Sequence, residues 1–427
     1  MDINFLRNEP ERVKKGIAAK NADQGLVDRF LALDAEWRSI TAELDGLRAD
    51  QKKLSKERNR EQGAKNKESI KKLEAAVREL EGKREDVWMH IPNLSSEDTP
   101  VGKDETGNLV IKKIGETNKF GFTPKDYMEL GAVLDLIDTE TAAKVSGARF
   151  GYLKNEAALL EFALIQFGLS ILTDEKILRI VADGVQKGYS AKPFVPVVPP
   201  VMIRPDVMQK MARLEPKEER YHIASDDLYL AGSAEHTMGP MHMDESIKES
   251  DLPLRYAGFS TSFRREAGSY GKDTRGIFRV HQFDKLEMES FTSPENGITE
   301  QNFFVAIQEY LMQKLGLPYQ VVICSTGDQG DPDFRHIDIE TWMPGQNKYR
   351  ETHSADYMTD YQARRLGTKI KRSAKDVKSE YAHMNDATVF AIGRTVIAIM
   401  ENYQTKDGKV MIPEVLQKYV GKEIIDS

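Results

Sequence analysis

The chain has 427 residues, of which 40% are hydrophobic, with a net charge of −7 and one cysteine. This length and composition predict a globular protein of two or three domains, while the acidic balance argues against a surface that coats nucleic acid throughout. The single cysteine, Cys324, excludes an internal disulfide and a zinc cage of thiolates, and the absence of a transmembrane-length apolar run or a secretory signal predicts a cytoplasmic protein with no membrane partner.

Two long helices that pair antiparallel are predicted near the N-terminus. Apolar residues with 3-4 spacing run in two series, with Gln51 and Arg84 as the single polar steps. The polar segment "NREQGAKNKE", centred on Gly63, separates the series and predicts the turn. At 1.5 Å per residue, helices of about thirty residues form an arm roughly 45 to 50 Å long. The two series are Phe30, Leu33, Trp37, Ile40, Leu44, Leu47 and Leu54, and then Ile70, Leu73, Val77, Leu80, Val87 and Ile91.

Basic residues are concentrated at the tip of this predicted arm. Residues 48 to 72 hold ten Lys/Arg and four Asp/Glu. An arm alone suits a dimerisation coiled coil or a solvated spacer, and charged runs are often solvated faces, but a basic tip also suits a polyanion. The candidate RNA-binding residues are Lys52, Lys53, Lys56, Arg58, Arg60, Lys65, Lys67, Lys71 and Lys72.

A domain boundary is predicted in the polar, turn-rich segment "PNLSSEDTPVGKDETGN". We assign residues 1–108 to the helical arm and residues 109–427 to a second domain. In the second domain, long helical runs alternate with short β-rich runs such as "YQVVICS". This mixture predicts an α+β domain with a largely antiparallel sheet.

The stretch "FRREAGSYGKDTRGIFRVHQFDKLEME", residues 263–289, predicts two strands joined by a glycine-rich basic loop. Alternate side chains of a strand share a face. One face of the second strand therefore carries Arg279, His281, Phe283, Lys285, Glu287 and Glu289. Arginine suits phosphate and an aromatic ring suits a purine, and the loop adds Lys272 and Arg275 for an anion. A charged outer sheet face with cross-strand ion pairs is the alternative for any one of these residues.

The same stretch resembles the second signature motif of class II aminoacyl-tRNA synthetases, and in detail that of seryl-tRNA synthetases. "VPVVPPVMI" at 195–203 resembles the first motif of the family and "AIGRTVIAIMENYQ" at 391–404 the third. "YRETHSADYMTDYQARR" at 349–365 resembles its segment for ATP and magnesium. The resemblance implies a class II antiparallel sheet with flanking helices, preceded by an antiparallel coiled-coil arm.

The resemblance also implies the reaction, its partners and the site residues. The expected reaction is ATP- and Mg²⁺-dependent activation of L-serine and transfer to tRNA(Ser), with tRNA(Sec) as a further family acceptor, by a homodimer that has no DNA partner. Arg264, Glu266 and Arg394 would be catalytic, with Arg264 on the α-phosphate and Arg394 on the γ-phosphate. ATP would contact Arg264, Arg265, Glu266, Arg279, Val280, Phe283, Glu351, Thr352, His353, Ser354 and Arg394, while Glu351 and Ser354 would hold Mg²⁺. Serine would contact Ser233, Ala234, Glu235, Arg264, Glu287, Asp386 and Thr388.

Three departures from the family pattern concern the amino-acid site. Ser233 stands where the family has threonine, Ala355-Asp356-Tyr357 where it commonly has Cys-Ser-Asn, and Asp386 where it has asparagine. An added carboxylate could strengthen ammonium binding or repel the substrate carboxylate. Two alternatives stay open: a paralogue that forms an adenylate but loads a carrier or regulates, and a catalytically dead RNA-binding coiled-coil protein.

Overall fold

The chain is divided into two compact units, Met1–Leu94 and Ser95–Ser427. The computed structural model describes residues 1–267, 273, 275–372 and 380–426, so the predicted anion-facing Lys272 lies outside the described residues. The predicted boundary at 108/109 lies inside the second unit, because the preceding segment packs there. The backbone N–H of Ser96 donates to the carbonyl of Phe334 at 2.7 Å, and Asn108 Nδ2 donates to Asp328 Oδ2 at 2.8 Å.

The first unit consists of four helices, and its two long helices confirm the predicted antiparallel pair. The helices are α1 (Ile3–Asn8), α2 (Pro10–Ala19), α3 (Gly25–Lys56) and α4 (Arg60–Met89). The turn falls earlier than predicted, because Asn59 caps α4 by accepting from the Gln62 N–H at 3.2 Å. Gly63 therefore lies in the first turn of α4 rather than at the centre of a loop.

The polar residues in the heptad series, Arg84 and Gln51, contact polar side chains of the opposite helix. Arg84 donates to the buried Asp34 at 2.9 Å and lies 4.0 Å from the ring centroid of Trp37. Near the tip, Asn66 Nδ2 donates to Gln51 Oε1 at 3.1 Å. Since a buried polar group costs little when it is hydrogen-bonded, these residues interrupt the apolar seam without breaking the pair.

The second unit mixes helices with strands from end to end. Its described elements are β1 (Leu109–Ile114), α5 (Tyr127–Val133), β2 (Ile137–Asp138), α6 (Thr139–Ser146), β3 (Tyr152–Leu153), α7 (Asn155–Leu172), α8 (Glu175–Val185), β4 (Val195–Val197), β5 (Met202–Ile203), α9 (Pro205–Lys210), β6 (His222–Ile223), β7 (Leu228–Leu230), α10 (Glu235–Met238), β8 (Ser246–Lys248), β9 (Leu254–Phe263), β10 (Gln282–Thr292), α11 (Gly297–Lys314), β11 (Tyr319–Ile323), β12 (Arg335–Met343), β13 (Lys348–Thr359), α12 (Tyr361–Leu366), β14 (Lys369–Lys371), β15 (Glu380–Tyr381), β16 (His383–Ala391), α13 (Ile392–Asn402), β17 (Val410–Met411), α14 (Glu414–Val420) and β18 (Ile424–Ile425).

An eight-stranded sheet organises this unit and confirms the predicted α+β class. Its strand order is β1-β11-β12-β13-β16-β10-β9-β4, and every pair is antiparallel except β4 with β9. One face packs into the main core, where Leu286 of β10 and Val389 of β16 meet α7, α11 and α13. The strand period of two therefore places Glu287 and Thr388 on the other face.

Helix α7 corrects one expectation from the sequence. By length and composition it is apolar enough to cross a membrane, although no apolar run of that kind was expected. Its residues Leu160, Leu164 and Phe167 are buried in the main core of the second unit. A core helix of this length satisfies the same criterion of length and composition.

Candidate active site

The open face of the sheet brings together residues that lie far apart in the sequence. In the strand register Glu287 of β10 is opposite Thr388 of β16. Ser354 of the next strand, β13, lies beside Thr388, with 3.2 Å between the two hydroxyl oxygens. Because these three side chains come from three adjacent strands, they form a short polar row across the sheet.

A cleft of about 590 Å³ opens on this face. Most of the residues predicted to bind ATP line it. They are Arg264, Glu266, Arg279, Val280, Phe283, Glu351, Thr352, Ser354 and Arg394, joined by Lys285, Thr388, Ile277, Phe278, Ala391 and Gly393.

One end of the cleft combines guanidinium groups with an aromatic ring. The guanidinium of Arg264 lies 5.3 Å from the ring centroid of Phe283, and its Nε donates to the carbonyl of Gly232 at 3.0 Å. Arg279 donates to Glu266 at 2.6 Å. These contacts orient two cations and a flat ring around one space, which is the arrangement that a nucleotide needs.

Arg394 and Glu351 form an ion pair of 2.8 Å at the edge of the same cleft. Arg394 lies in the first turn of α13, where unpaired backbone N–H groups also favour anions. Burial alone would raise the pKa of the Glu351 carboxyl, but Arg394 and His336 lower it to about 2. Glu351 is therefore a carboxylate at neutral pH.

A buried hydrogen-bonded cluster around Glu287 adjoins the cleft through Lys285 and Thr388, although the predicted serine-binding residues Ser233, Glu235 and Glu287 do not themselves line it. Ser233 Oγ donates to Glu287 Oε1 at 2.9 Å, and the Thr388 hydroxyl lies 3.4 Å from the same oxygen. Lys285 forms an ion pair with Glu287 and lies 3.3 Å from Ser233 Oγ. The second oxygens of Glu287 and Glu235 are buried without a hydrogen-bond partner in the part of the chain that the structure describes. Two acceptors therefore remain for a cationic or hydroxyl group.

Several predicted residues do not line the cleft. The side chain of Arg265 lies over the ring of Tyr221, at 5.6 Å, and that of His353 packs against Phe390 on the core face. Burial lowers the pKa of His353 to about 3, so its imidazole is neutral. Ala234 is fully buried and carries no polar side chain.

Asp386 lies two residues before Thr388 in β16, on the same face of the sheet, and its carboxyl contacts Arg213 and not the nucleotide end of the cleft. Its Oδ2 is 3.3 Å from Arg213 Nη2. Burial, and then the neighbouring Asp356, raise the pKa of Asp386 well above its usual range. The departure from the family asparagine is thus accompanied by a partly buried arginine, Arg213, that faces the new carboxyl.

Sequence reasoning missed Lys285 and Arg213 as site residues. Lys285 carried a usable signal, because it shares a strand face with Phe283 and Glu287. Arg213 carried none, since it follows α9 and reaches Asp356 and Asp386 only through the tertiary fold.

The fold and the cleft define a class II aminoacyl-tRNA synthetase. Residues 219–403 match the family model "tRNA synthetase class II core domain (G, H, P, S and T)", and residues 1–95 match "Seryl-tRNA synthetase N-terminal domain".

The most similar sequences and structures identify the family within this class. The serine–tRNA ligase of Dictyoglomus thermophilum is 40% identical, over 99% of this chain and 98% of its own length. The crystal structure of seryl-tRNA synthetase from Pyrococcus horikoshii complexed with ATP superposes with a TM-score of 0.90 and 36% identity, covering 100% of this chain and 99% of that one. The crystal structure of the cytoplasmic serine–tRNA ligase from Naegleria fowleri in complex with AMP superposes with a TM-score of 0.88 and 31% sequence identity. It covers 100% of this chain and 98% of that one. The chain belongs to the seryl-tRNA synthetase family.

Proposed function

We propose that the protein activates L-serine with ATP to seryl-adenylate and transfers the seryl group to tRNA(Ser). The observation that carries this proposal is the joining of a phosphate- and purine-suited cleft to the buried Glu287 cluster, in a chain that matches serine–tRNA ligases over nearly its full length.

ATP fits the end of the cleft that carries the guanidinium groups. Arg264 would contact the α-phosphate, Arg394 the γ-phosphate, and Phe283 would stack on adenine. Arg279 and Glu266 would line the adenine side as a pair. The Pyrococcus horikoshii relative was crystallised with ATP, which supports this assignment.

A magnesium ion would be held by Glu351 and Ser354. Both line the cleft, and a carboxylate that stays ionised at pH 7 with a neighbouring hydroxyl supplies the hard oxygen ligands that Mg²⁺ prefers. When bound, the ion would neutralise phosphate charge. Arg394 would remain beside Glu351 to orient the same phosphates.

Serine fits the buried Glu287 cluster that adjoins the cleft. The unpartnered oxygen of Glu287 would accept from the α-ammonium, with Glu235 as a second acceptor, while Thr388 would contact the side-chain hydroxyl. A site that hydrogen-bonds a substrate hydroxyl rejects an analogue lacking it by about 10⁴-fold. Ser233 retains the hydroxyl of the family threonine and is already bonded to Glu287.

The first chemical step needs positioning and charge stabilisation. The serine carboxylate is ionised at pH 7, so it attacks the α-phosphorus without a general base, and pyrophosphate leaves. Arg264 is placed to stabilise the charge that develops on the α-phosphate. The adenylate then gives its acyl group to a ribose hydroxyl of the transfer RNA, and AMP leaves.

Transfer RNA would be held by the basic tip of the helical arm. All nine predicted residues are exposed. Three of them, Lys53, Lys65 and Lys72, form intrahelical ion pairs with acidic neighbours, and exposed pairs of this kind are weak enough to yield to phosphate. Transfer to tRNA(Sec) stays a prediction from the family resemblance.

A homodimer in the cytoplasm completes the proposal. The edge strand β4 and its continuation expose large apolar side chains, among them Val195, Val198 and Met202. An exposed sheet edge with apolar side chains favours association with a second copy. In such a dimer the arm of one subunit would clasp the RNA that the other subunit charges.

The deciding experiment is charging of total transfer RNA with each of the twenty amino acids, preceded by pyrophosphate exchange. We expect exchange that depends on serine and Mg²⁺, and charging with serine alone. Exchange with threonine or alanine but not with serine would contradict the substrate, and exchange without charging would favour the carrier-loading alternative.

A further inference from the structure

A second cluster of ligand-type side chains lies at the opposite edge of the polar face, where β11 ends and β12 begins. Cys324 Sγ lies 3.3 Å from Asp338 Oδ2, and His336 Nε2 lies 2.8 Å from Asp338 Oδ1. One potential ligand atom from each of the three residues falls within 4.8 Å of the others. A thiolate, an imidazole and a carboxylate this close together are the ligand types of a tetrahedral zinc-type site.

His336 is also shared by a second group, on its Nδ1 side. There it faces Asp356 at 2.5 Å and Asp333 at 3.6 Å. Arg213 lies 3.9 Å from Asp333 and 3.8 Å from Asp356, so a cationic side chain already compensates these two carboxylates. A second cation on that side would be repelled.

On the Nε2 side the only side chain that could compensate Asp338, among the described residues, is His336 itself. Among the described residues, neither Lys nor Arg forms an ion pair with Asp338, whose charged partner is His336. Asp328 adds another carboxylate nearby, and Asn108 bonds to it at 2.8 Å while directing the same amide toward Cys324 Sγ at 3.8 Å. Once the imidazole is neutral, as a metal ligand must be, the carboxylates of Asp338 and Asp328 therefore favour a cation between Cys324, His336 and Asp338.

The surroundings also match what a metal-bound histidine requires. With Nε2 on the metal, Nδ1 would face Asp356 Oδ1 at 2.5 Å, and this carboxyl favours keeping the remaining proton on Nδ1. Asn108 would supply an amide donor to the sulfur. Cys324 and Asp338 are buried, whereas His336 is partly exposed and leaves an entry path for the ion.

We propose that Cys324, His336 and Asp338 bind one zinc-type divalent cation, separate from the magnesium ion of ATP. Sulfur and imidazole ligands select zinc over magnesium, which prefers an all-oxygen shell. The ion would tie the end of β11 to the start of β12 and hold Asp338 opposite Ser354, its partner in the β12–β13 register. Its role is to position that part of the sheet, and the proposal does not depend on aminoacylation.

Cobalt substitution of the full-length protein tests this site directly. Protein stripped with a chelator is expected to bind one Co²⁺ per chain and to show thiolate-to-cobalt charge-transfer absorption in the near ultraviolet. Because Cys324 is the only cysteine in the sequence, that absorption can arise from no other residue. Zinc should displace the cobalt and raise the melting temperature, whereas millimolar Mg²⁺ should not displace it.

Variants separate this site from binding elsewhere. His336→Gln should abolish the charge-transfer band, Asp356→Asn should weaken zinc binding by about 10- to 100-fold, and His222→Gln, at an exposed histidine, should change neither. A folded wild-type protein without the band, displacement of cobalt by Mg²⁺, or unchanged zinc affinity in His336→Gln would overturn the proposal. If His336→Gln fails to fold, the cobalt spectrum of the wild-type protein and the zinc affinity of Asp356→Asn test the proposal instead.

Discussion

Glu287 and Glu289 lie two residues apart on the same face of β10, yet their surroundings differ. Glu287 is paired with Lys285 and accepts from Ser233. Both oxygens of Glu289 are buried without a hydrogen-bond partner among the residues described. Burial, and then Asp386, raise the pKa of the Glu289 carboxyl well above its usual range, which favours its protonated form. Two identical side chains thus have different roles because of their neighbours.

Replacing each of the two by glutamine tests that difference. Glu287→Gln should lower kcat/KM for serine in pyrophosphate exchange by about 10- to 100-fold, since a hydrogen bond to a charged group contributes about 1.5–3 kcal/mol. Glu289→Gln replaces a protonated carboxyl by a group of the same shape and should stay within about twofold. Equal losses in the two variants would contradict the role given to Glu287.

Loss of the Lys285 proton should make the rate of pyrophosphate exchange fall at high pH. Burial lowers its pKa to about 8, partly offset by Glu235, so the cation is lost as the pH rises through 8. Activity should then fall, because Lys285 lines the cleft where phosphate charge develops. The free energy of unfolding changes in the opposite direction. Between pH 8 and the higher pKa of Lys285 in the unfolded chain, the unfolded state binds more protons than the folded state. The free energy of unfolding therefore rises with pH over this range.

The pH profile of kcat/KM measures this effect. In Lys285→Arg the guanidinium stays protonated, so the descending limb should move out of the accessible range. Lys285→Met should reduce activity at every pH and also lack the limb. If both variants show the same fall of kcat/KM at high pH as the wild-type protein, the group that titrates is not Lys285.

At the scale of the element, the arm is predicted to serve transfer RNA and not adenylate formation. Lys52→Glu, Lys56→Glu and Arg60→Glu together should raise KM for transfer RNA by at least about tenfold, because each lost phosphate contact also removes counterion release. Pyrophosphate exchange should be unchanged. The matched control is Lys83→Glu, an exposed residue of α4 outside the basic tip. Parallel loss of exchange and charging would show that the arm serves folding.

For the whole molecule, the exposed edge at β4 predicts the oligomeric state. The wild-type protein should sediment as a dimer, and Val198→Asp should shift it toward monomer, because it places a charge in an apolar contact. Val101→Asp is the control, since Val101 is 82% exposed and Val198 85%, but Val101 lies away from β4. A wild-type monomer, or equal dissociation by both variants, would contradict the proposed dimer surface.

Features that repeat at short range follow from the amino-acid sequence alone. Heptad spacing predicted α3 and α4, and alternation predicted the shared face of Phe283, Lys285, Glu287 and Glu289, because both follow from local backbone geometry. Arg279 and His281, expected on the same strand, lie before β10 begins. The family motifs then indicated most of the residues that line the cleft. The same local patterns placed the arm turn at Gly63 and the domain boundary at 108/109, and in both cases the structure differs.

Which strands lie side by side, and in what register, depends on the folded chain as a whole. The alignment of His336, Asp356, Asp386 and Glu289 across four strands joins positions that are widely separated along the chain. Arg213 reaches that row from a different segment altogether. Strand register depends on the packing of the whole sheet and not on local periodicity, so the charge balance around Cys324, and the surroundings that make Glu287 and Glu289 different, exist only in the folded chain.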